Sequence, residues 1–247
     1  MASSGATTIM GALSARIESC ERCPELRAYC TRVATEKKRA HRDETYWGRP
    51  VAGFGDPHAR VLLVGLAPGA HGSNRTGRMF TGDASGVWLY RALHRAGFAN
   101  QAEQRDRGDG MMLHDAFITA ALRCAPPGNM PTPLQRERCF PYLVEEMHAL
   151  DDLRVVVGLG AIGTRAAEAA LVATGYRFAL RHTFGHGAES VGTHETAAAI
   201  ALLSSYHPSR QNTNTGVLTE RMLDAIFTRA RTLAGQHQLA RSNNPKI

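Results

Sequence analysis

Three short runs in this chain are continuously apolar: Val61-Leu62-Leu63-Val64 before Gly65, Val155-Val156-Val157 before Gly158, and Ile200-Ala201-Leu202-Leu203 before Ser204. A fourth, Ala116-Phe117-Ile118-Thr119-Ala120-Ala121-Leu122, is weaker but similar in length. A strand with one face in water alternates apolar and polar residues, so unbroken runs fit strands covered on both faces, as in a parallel sheet. Helical patterns fall between them. Trp88, Leu89, Ala92, Leu93 and Ala96 form a stripe that stops at Gly97, and Thr132-Pro133-Leu134-Gln135 reads as N-cap, first-turn proline and capping box. Leu218, Met222, Ala225, Ile226, Arg229 and Leu233 trace a final amphipathic helix. Strands alternating with helices predict an α/β fold, a three-layer α/β/α sandwich around a central parallel sheet of four strands, in one domain spanning residues 1–247. The ends, about 1–15 and 236–247, are expected to be loose, and the stretch 177–191 to add a hairpin.

Ligands of such sheets bind beyond the carboxyl ends of the strands. Two polar segments punctuated by Gly and Pro follow apolar runs there: residues 65–78, Gly-Leu-Ala-Pro-Gly-Ala-His-Gly-Ser-Asn-Arg-Thr-Gly-Arg, and residues 207–216, His-Pro-Ser-Arg-Gln-Asn-Thr-Asn-Thr-Gly. Loops of this composition at strand ends are candidate sites. A net charge of +7 and an isoelectric point near 9.5 favour a polyanionic partner such as nucleic acid, although a basic balance alone does not establish one. No apolar run approaches the roughly 20 residues that span a bilayer, and the first residues lack the basic start of a signal peptide, so a cytoplasmic protein with no membrane partner is expected.

In a reducing compartment Cys20, Cys23, Cys30, Cys124 and Cys139 should not pair as structural disulfides. Cys20 and Cys23 are spaced as C-x-x-C, and Cys124 and Cys139 bracket a proline-rich loop. Four thiolates suit tetrahedral zinc or an iron–sulfur cluster, and spacing does not choose between them. Cys30, inside a predicted helix over 27–38, is expected to pack rather than ligate.

Taken in order, the strand with Gly-Leu-Ala-Pro-Gly-Ala-His-Gly, then Asn-Arg-Thr-Gly-Arg, Phe80-Thr81-Gly82-Asp83, Arg123-Cys124-Ala125-Pro126-Pro127 and His207-Pro208-Ser209 resemble the fifth family of the uracil-DNA glycosylase superfamily. The resemblance covers the chain from about Cys20 to Leu233. It implies a [4Fe-4S] cluster held by Cys20, Cys23, Cys124 and Cys139, with structural zinc as the alternative. It also implies excision of uracil and other deaminated bases from double- and single-stranded DNA by a monomer.

Under that resemblance the residues take roles. The loop at Gly65, Leu66, Pro68 and Gly69 would form the base pocket, and Phe80 would stack on a flipped base, unless it is simply a core residue beside Trp88. His207 would donate to O2 of the departing base. Many relatives carry Asp or Asn at the position of Ala67 to activate water; Ala67 cannot, which leaves Asn74 and His71 as candidates. Some relatives carry Asn where Ala120 stands, so a less selective pocket is expected, acting on uracil and hypoxanthine and extending to xanthine or etheno-cytosine. Arg75, Arg78 and Arg123 are candidates for phosphate contacts. In the second loop Ser209, Arg210, Gln211, Asn212 and Asn214 are candidate DNA contacts, with Arg210 as wedge or phosphate ligand. The competing expectation, prompted by Ala67, is a non-catalytic iron–sulfur module that binds DNA or senses redox state.

Overall fold

The computed structural model describes residues 3–242, with side chains described from 5 to 235. The four apolar runs form strands β2 (Val61–Gly65), β3 (Ala116–Ala120), β4 (Val155–Leu159) and β7 (Ile200–Ser205), every residue of which is buried. They pair in parallel, in the order β3-β2-β4-β7. The sheet is larger than the sequence suggests, with seven strands rather than four. Short antiparallel strands extend both edges: β1 (Phe54–Gly55) beside β3, and β6 (Glu189–Thr193) and β5 (Arg177–Phe178) beyond β7. The last two are the expected hairpin.

Helices cover both faces. On one lie α4 (Ala84–Arg95) and α8 (Glu220–Ser242), whose Leu89, Leu93, Leu223 and Phe227 share a core with Val61, Leu63 and Val157. On the other, α1 (Ser3–Glu18), α5 (Pro133–Ala149) and α6 (Gly160–Ala173) bury Leu13, Ile17, Leu143 and Leu171 against Leu62, Val64 and Val156. Two short helices, α3 (Ser73–Thr76) and α7 (Arg210–Asn214), sit in the two polar segments, and α2 (Pro24–Glu36) follows the first cysteines. The capping box on α5 is present: Thr132 Oγ1 accepts the Gln135 N–H at 3.2 Å and Gln135 Oε1 accepts the Thr132 N–H at 3.0 Å.

The N-terminal end expected to be loose is instead largely α1, ordered because Met10, Leu13 and Ile17 are buried in the core shared with α5. At the other end expected to be loose, over 236–247, residues 236–242 continue α8 and residues 243–247 lie outside the described residues. Among the described residues no helix is long and apolar enough to cross a membrane.

Candidate active site

The chain runs from β2 to β3 on one side of it and then to β4 on the other. Loops leaving the strands diverge at such a reversal and open a crevice. A cleft of about 800 Å³ lies there, walled by the segment after β2 (Leu66, Ala67, Gly69, His71), by Phe80 and Asp83, by Asn129, and by His207 and Arg210 after β7.

Phe80 is held unusually. Its φ is +52°, in the left-handed region that an L-residue enters at a cost of about 1 kcal/mol or more, so the surroundings must fix it. Three contacts do so. The preceding carbonyl, of Met79, accepts the Tyr90 hydroxyl at 2.9 Å, and a carbon added at Gly86 would fall 1.8 Å from the Phe80 carbonyl oxygen. Beneath the ring lies Gly65, where an added carbon would meet it at 2.8 Å. Phe80 therefore lines the cleft while also belonging, at 9% exposed, to the core cluster against which Trp88 packs.

His207 faces that ring, with centroids 5.8 Å apart and planes at 31°. Burial alone pushes its pKa down to about 4, so the imidazole is uncharged at neutral pH. Its backbone carbonyl is pinned by the Ser209 N–H at 2.8 Å and by Asn212 Nδ2 at 2.9 Å. Ser209 caps α7 by accepting the Asn212 N–H at 3.3 Å. Ser209 and Asn212 thus hold the turn that presents His207, while Arg210, Gln211 and Asn214 are exposed and the first two line the cleft.

Other expected residues lie elsewhere. Asn74 is 1% exposed and is not part of the cleft wall; its Nδ2 donates to the Ala70 and Cys30 carbonyls at 3.3 and 3.4 Å, and among the described residues its Oδ1 has no hydrogen-bond partner. His71 does line the cleft, with Nδ1 3.0 Å from the Tyr46 hydroxyl, and burial, then the cations Lys38, His41 and Arg75, lowers its pKa. Pro68 and Ala120 are buried behind the wall rather than in it.

Three arginines read as phosphate contacts turn inward. Arg78 forms a bidentate pair with Asp109, both N···O distances 2.7 Å, and the two side chains are 3% and 1% exposed. Arg123 is buried between Thr119 and Glu146, 2.7 Å from the latter. Arg75 donates to the His71 and Gly82 carbonyls at 2.9 and 2.8 Å and pairs with Glu44, bracing the loop. Positive charge at the cleft comes instead from Lys38 and Arg210.

Asp83 and Asn129 were not singled out as cleft residues from sequence. Asp83 accepts the Gly86 N–H at 3.0 Å as N-cap of α4, and an Asp just before an apolar helical stripe is a readable sign of a cap. Asn129 has φ +58° in a turn after Gly128, a conformation Asn tolerates.

Cys20, Cys23, Cys124 and Cys139 converge on one small cavity with Leu26, Pro50 and Leu122. Among the described residues no group of three or more His, Cys, Asp or Glu already stands in metal-binding geometry. The donor chemistry fits a soft metal nonetheless, because four thiols line one enclosure with no carboxylate in its wall, and Arg22, Arg27, Arg123 and Arg138 beside them would balance an anionic thiolate-bound group. Burial pushes the Cys139 thiol up to about 11, Arg123 offsetting part of the rise and Cys20 and Cys23 adding to it, so the sulfur would become a ligand by exchanging its proton for a metal. Cys30, on α2 and fully buried, does not line that cavity, but its thiol neighbours that of Cys124 and lies 3.6 Å from the Ala125 carbonyl.

Comparison with known proteins agrees with this geometry. Residues 52–231 match the model of the uracil DNA glycosylase superfamily. The chain is 48% identical over 224 residues to a type-5 uracil-DNA glycosylase of Mycobacterium tuberculosis, covering 90% of this chain and 81% of that one. It is 49% identical over 219 residues to the type-5 enzyme of Thermus thermophilus (89% and 95% covered) and 46% identical over 236 residues to that of Mycobacterium leprae (95% and 100%). The chain belongs to the uracil DNA glycosylase superfamily, in its fifth family.

Proposed function

We propose that this protein is a monofunctional DNA glycosylase that hydrolyses the N-glycosyl bond of uracil and of other deaminated bases, leaving an abasic site. A glycosidic bond inside a stacked duplex is out of reach, so the nucleotide must be turned out into the cleft. There the Phe80 ring offers the base a face to stack on, and Leu66, Ala67 and Gly69 of the first loop line the same space. As the bond breaks, its electron pair departs with the base and negative charge grows on the carbonyl oxygen.

The observation that carries this reading is the half-buried, uncharged His207 opposite Phe80. A neutral imidazole still donates one N–H. That hydrogen bond strengthens as the charge develops, which is how a preorganised donor lowers a barrier.

Breadth follows from what the pocket lacks. Ala67 offers no polar side chain, and Ala120 is 1% exposed behind the wall. With few side chains to reject a base, hypoxanthine, xanthine and etheno-cytosine are accepted besides uracil. Lys38 and Arg210 at the cleft meet the backbone of double- or single-stranded DNA, and the protein acts as a monomer. Cys20, Cys23, Cys124 and Cys139 are the residues that would hold a [4Fe-4S] cluster, whose role is to tie the segment around α2 to the loop carrying Asn129.

Single-turnover assays with enzyme in excess test this, using duplexes and single strands carrying each of the four lesions, with abasic sites revealed by alkaline cleavage. Excision of uracil and hypoxanthine with the others following is expected. Release of uracil alone would defeat the claim of breadth, and no abasic product at all would leave a DNA-binding module.

A further inference from the structure

On the face of the sheet covered by α5 and α6, a groove of about 390 Å³ lies between those two helices and shares no wall residue with the cleft. Its floor is Phe140 and Leu143 of α5 and Ile162 of α6, and Leu143 belongs to the core beneath. The groove is open because Ala121, Ala166 and Ala169 are too small to fill it. That volume falls within the roughly 300–1,000 Å³ of pockets that take a ligand.

Two guanidinium groups stand on its banks, Arg136 from α5 and Arg165 from α6, both exposed. Neither side chain has a hydrogen-bond or ion-pair partner among the described residues, whereas Arg16, Arg95 and Arg229 on other helices are held by Glu145, Asp224 and Glu189. Glu137 is the one acid in the wall, so the banks keep a net positive charge. An apolar floor alone would accept any apolar partner. A cover laid over this one also strips water from the arginines, which costs free energy unless the cover brings anions to them. DNA offers phosphates but no apolar side chain for the floor. A second copy of this chain, itself at +7, would set like charges against each other.

We infer that the α5–α6 groove docks an acidic segment of another protein, which seats bulky apolar side chains on Phe140, Leu143 and Ile162 while its carboxylates pair with Arg136 and Arg165. Apolar anchors in such a groove supply affinity, and the charges on its banks select the partner. Groove and cleft have separate walls, so a docked segment leaves the cleft residues free for DNA. The groove would bring a partner to the place where a base is excised, and its occupation does not depend on the reaction in the cleft.

Fluorescence anisotropy on the full-length protein tests this with labelled peptides: one rich in Asp and Glu with Leu and Phe among them, one with the acids replaced by Lys, and one with Leu and Phe replaced by Ser. The first should bind saturably and at least about tenfold more tightly than the others. Arg136→Glu and Arg165→Glu should each weaken it about tenfold or more, and Ala169→Phe, which fills the groove from an exposed position, should do the same. Melting curves and uracil excision should match wild type in every variant, since none of these residues walls the cleft; should one variant fail to fold, the others decide. No saturable binding of the first peptide at about 100 μM, equal binding of either control peptide, or binding that survives the substitutions would overturn the proposal. So would displacement of the peptide by uracil-free duplex DNA, which would make the groove part of the DNA face. Sedimentation showing that wild type dimerises and Ala169→Phe does not would likewise overturn it, giving the groove to a second copy. A wild type that excises nothing would defeat the glycosylase reading and leave this one standing.

Discussion

The rings of Phe80 and His207 stand 5.8 Å apart at 31°, and the first of them rests directly on Gly65 at the end of β2. Strand end, aromatic and imidazole thus form one stack, and a single methyl group can disturb it. In Gly65→Ala the new carbon would sit 2.8 Å from the Phe80 ring. Overpacking of this kind costs about 1–3 kcal/mol. Thermal melts should show that cost, and excision should fall by more than the stability loss explains, because the ring is pushed toward His207.

His207 carries a pH signature. Its folded pKa, about 4, lies below its ordinary value of 6.5, so the unfolded chain binds the extra proton between the two. The stability this group contributes is therefore complete above pH about 6.5 and is lost as pH falls toward about 4, up to about 3 kcal/mol. Denaturant unfolding of wild type and His207→Ala at both ends of that window should show the variant losing less. At neutral pH the same variant should lose about 100-fold or more in excision with DNA affinity retained.

Arg78 and Arg210 should separate cleanly. Removing one partner of the buried Arg78–Asp109 pair strands a charge, so Arg78→Ala should cost about 3–5 kcal/mol and leave the salt dependence of DNA binding unchanged. Arg210→Ala touches an exposed side chain at the cleft; it should leave the melting temperature alone and reduce the salt slope by about one ion.

The five cysteines should divide four to one. Cys139→Ser should abolish bound iron and the visible absorbance of a cluster, while Cys30→Ala should keep both, since Cys30 lines no part of the cavity shared by the other four. A colourless wild type with one zinc per chain would assign the site to zinc instead.

How much of this was readable from sequence depended on how local the cause was. Strands β2, β3, β4 and β7 announce themselves because burial on both faces demands unbroken apolar residues. Strands β1 and β5 have two residues each and exist only because a neighbouring edge offers partners, which no local pattern encodes. Helix α1, rich in Ser, Thr and Gly, is ordered by the core it meets. The two motif loops and His207 were legible as neighbours of one cleft. Arg78 and Arg123 were not, because their acidic partners lie 31 and 23 residues away and a cation with a distant buried partner looks like a free one. Asn74 misled for the same reason: its partners include the Cys30 carbonyl, 44 residues earlier.

Because β2, β3, β4 and β7 run in parallel, all of their outgoing loops emerge at one end of the sheet, and the cleft is built there. The opposite end, where Ala59, Asp115 and Arg154 lead into the strands, contributes nothing to the cleft wall. That end is the side on which to tether the molecule: a fluorophore or an immobilising linker placed there would leave the DNA-facing side clear for single-molecule observation of repair.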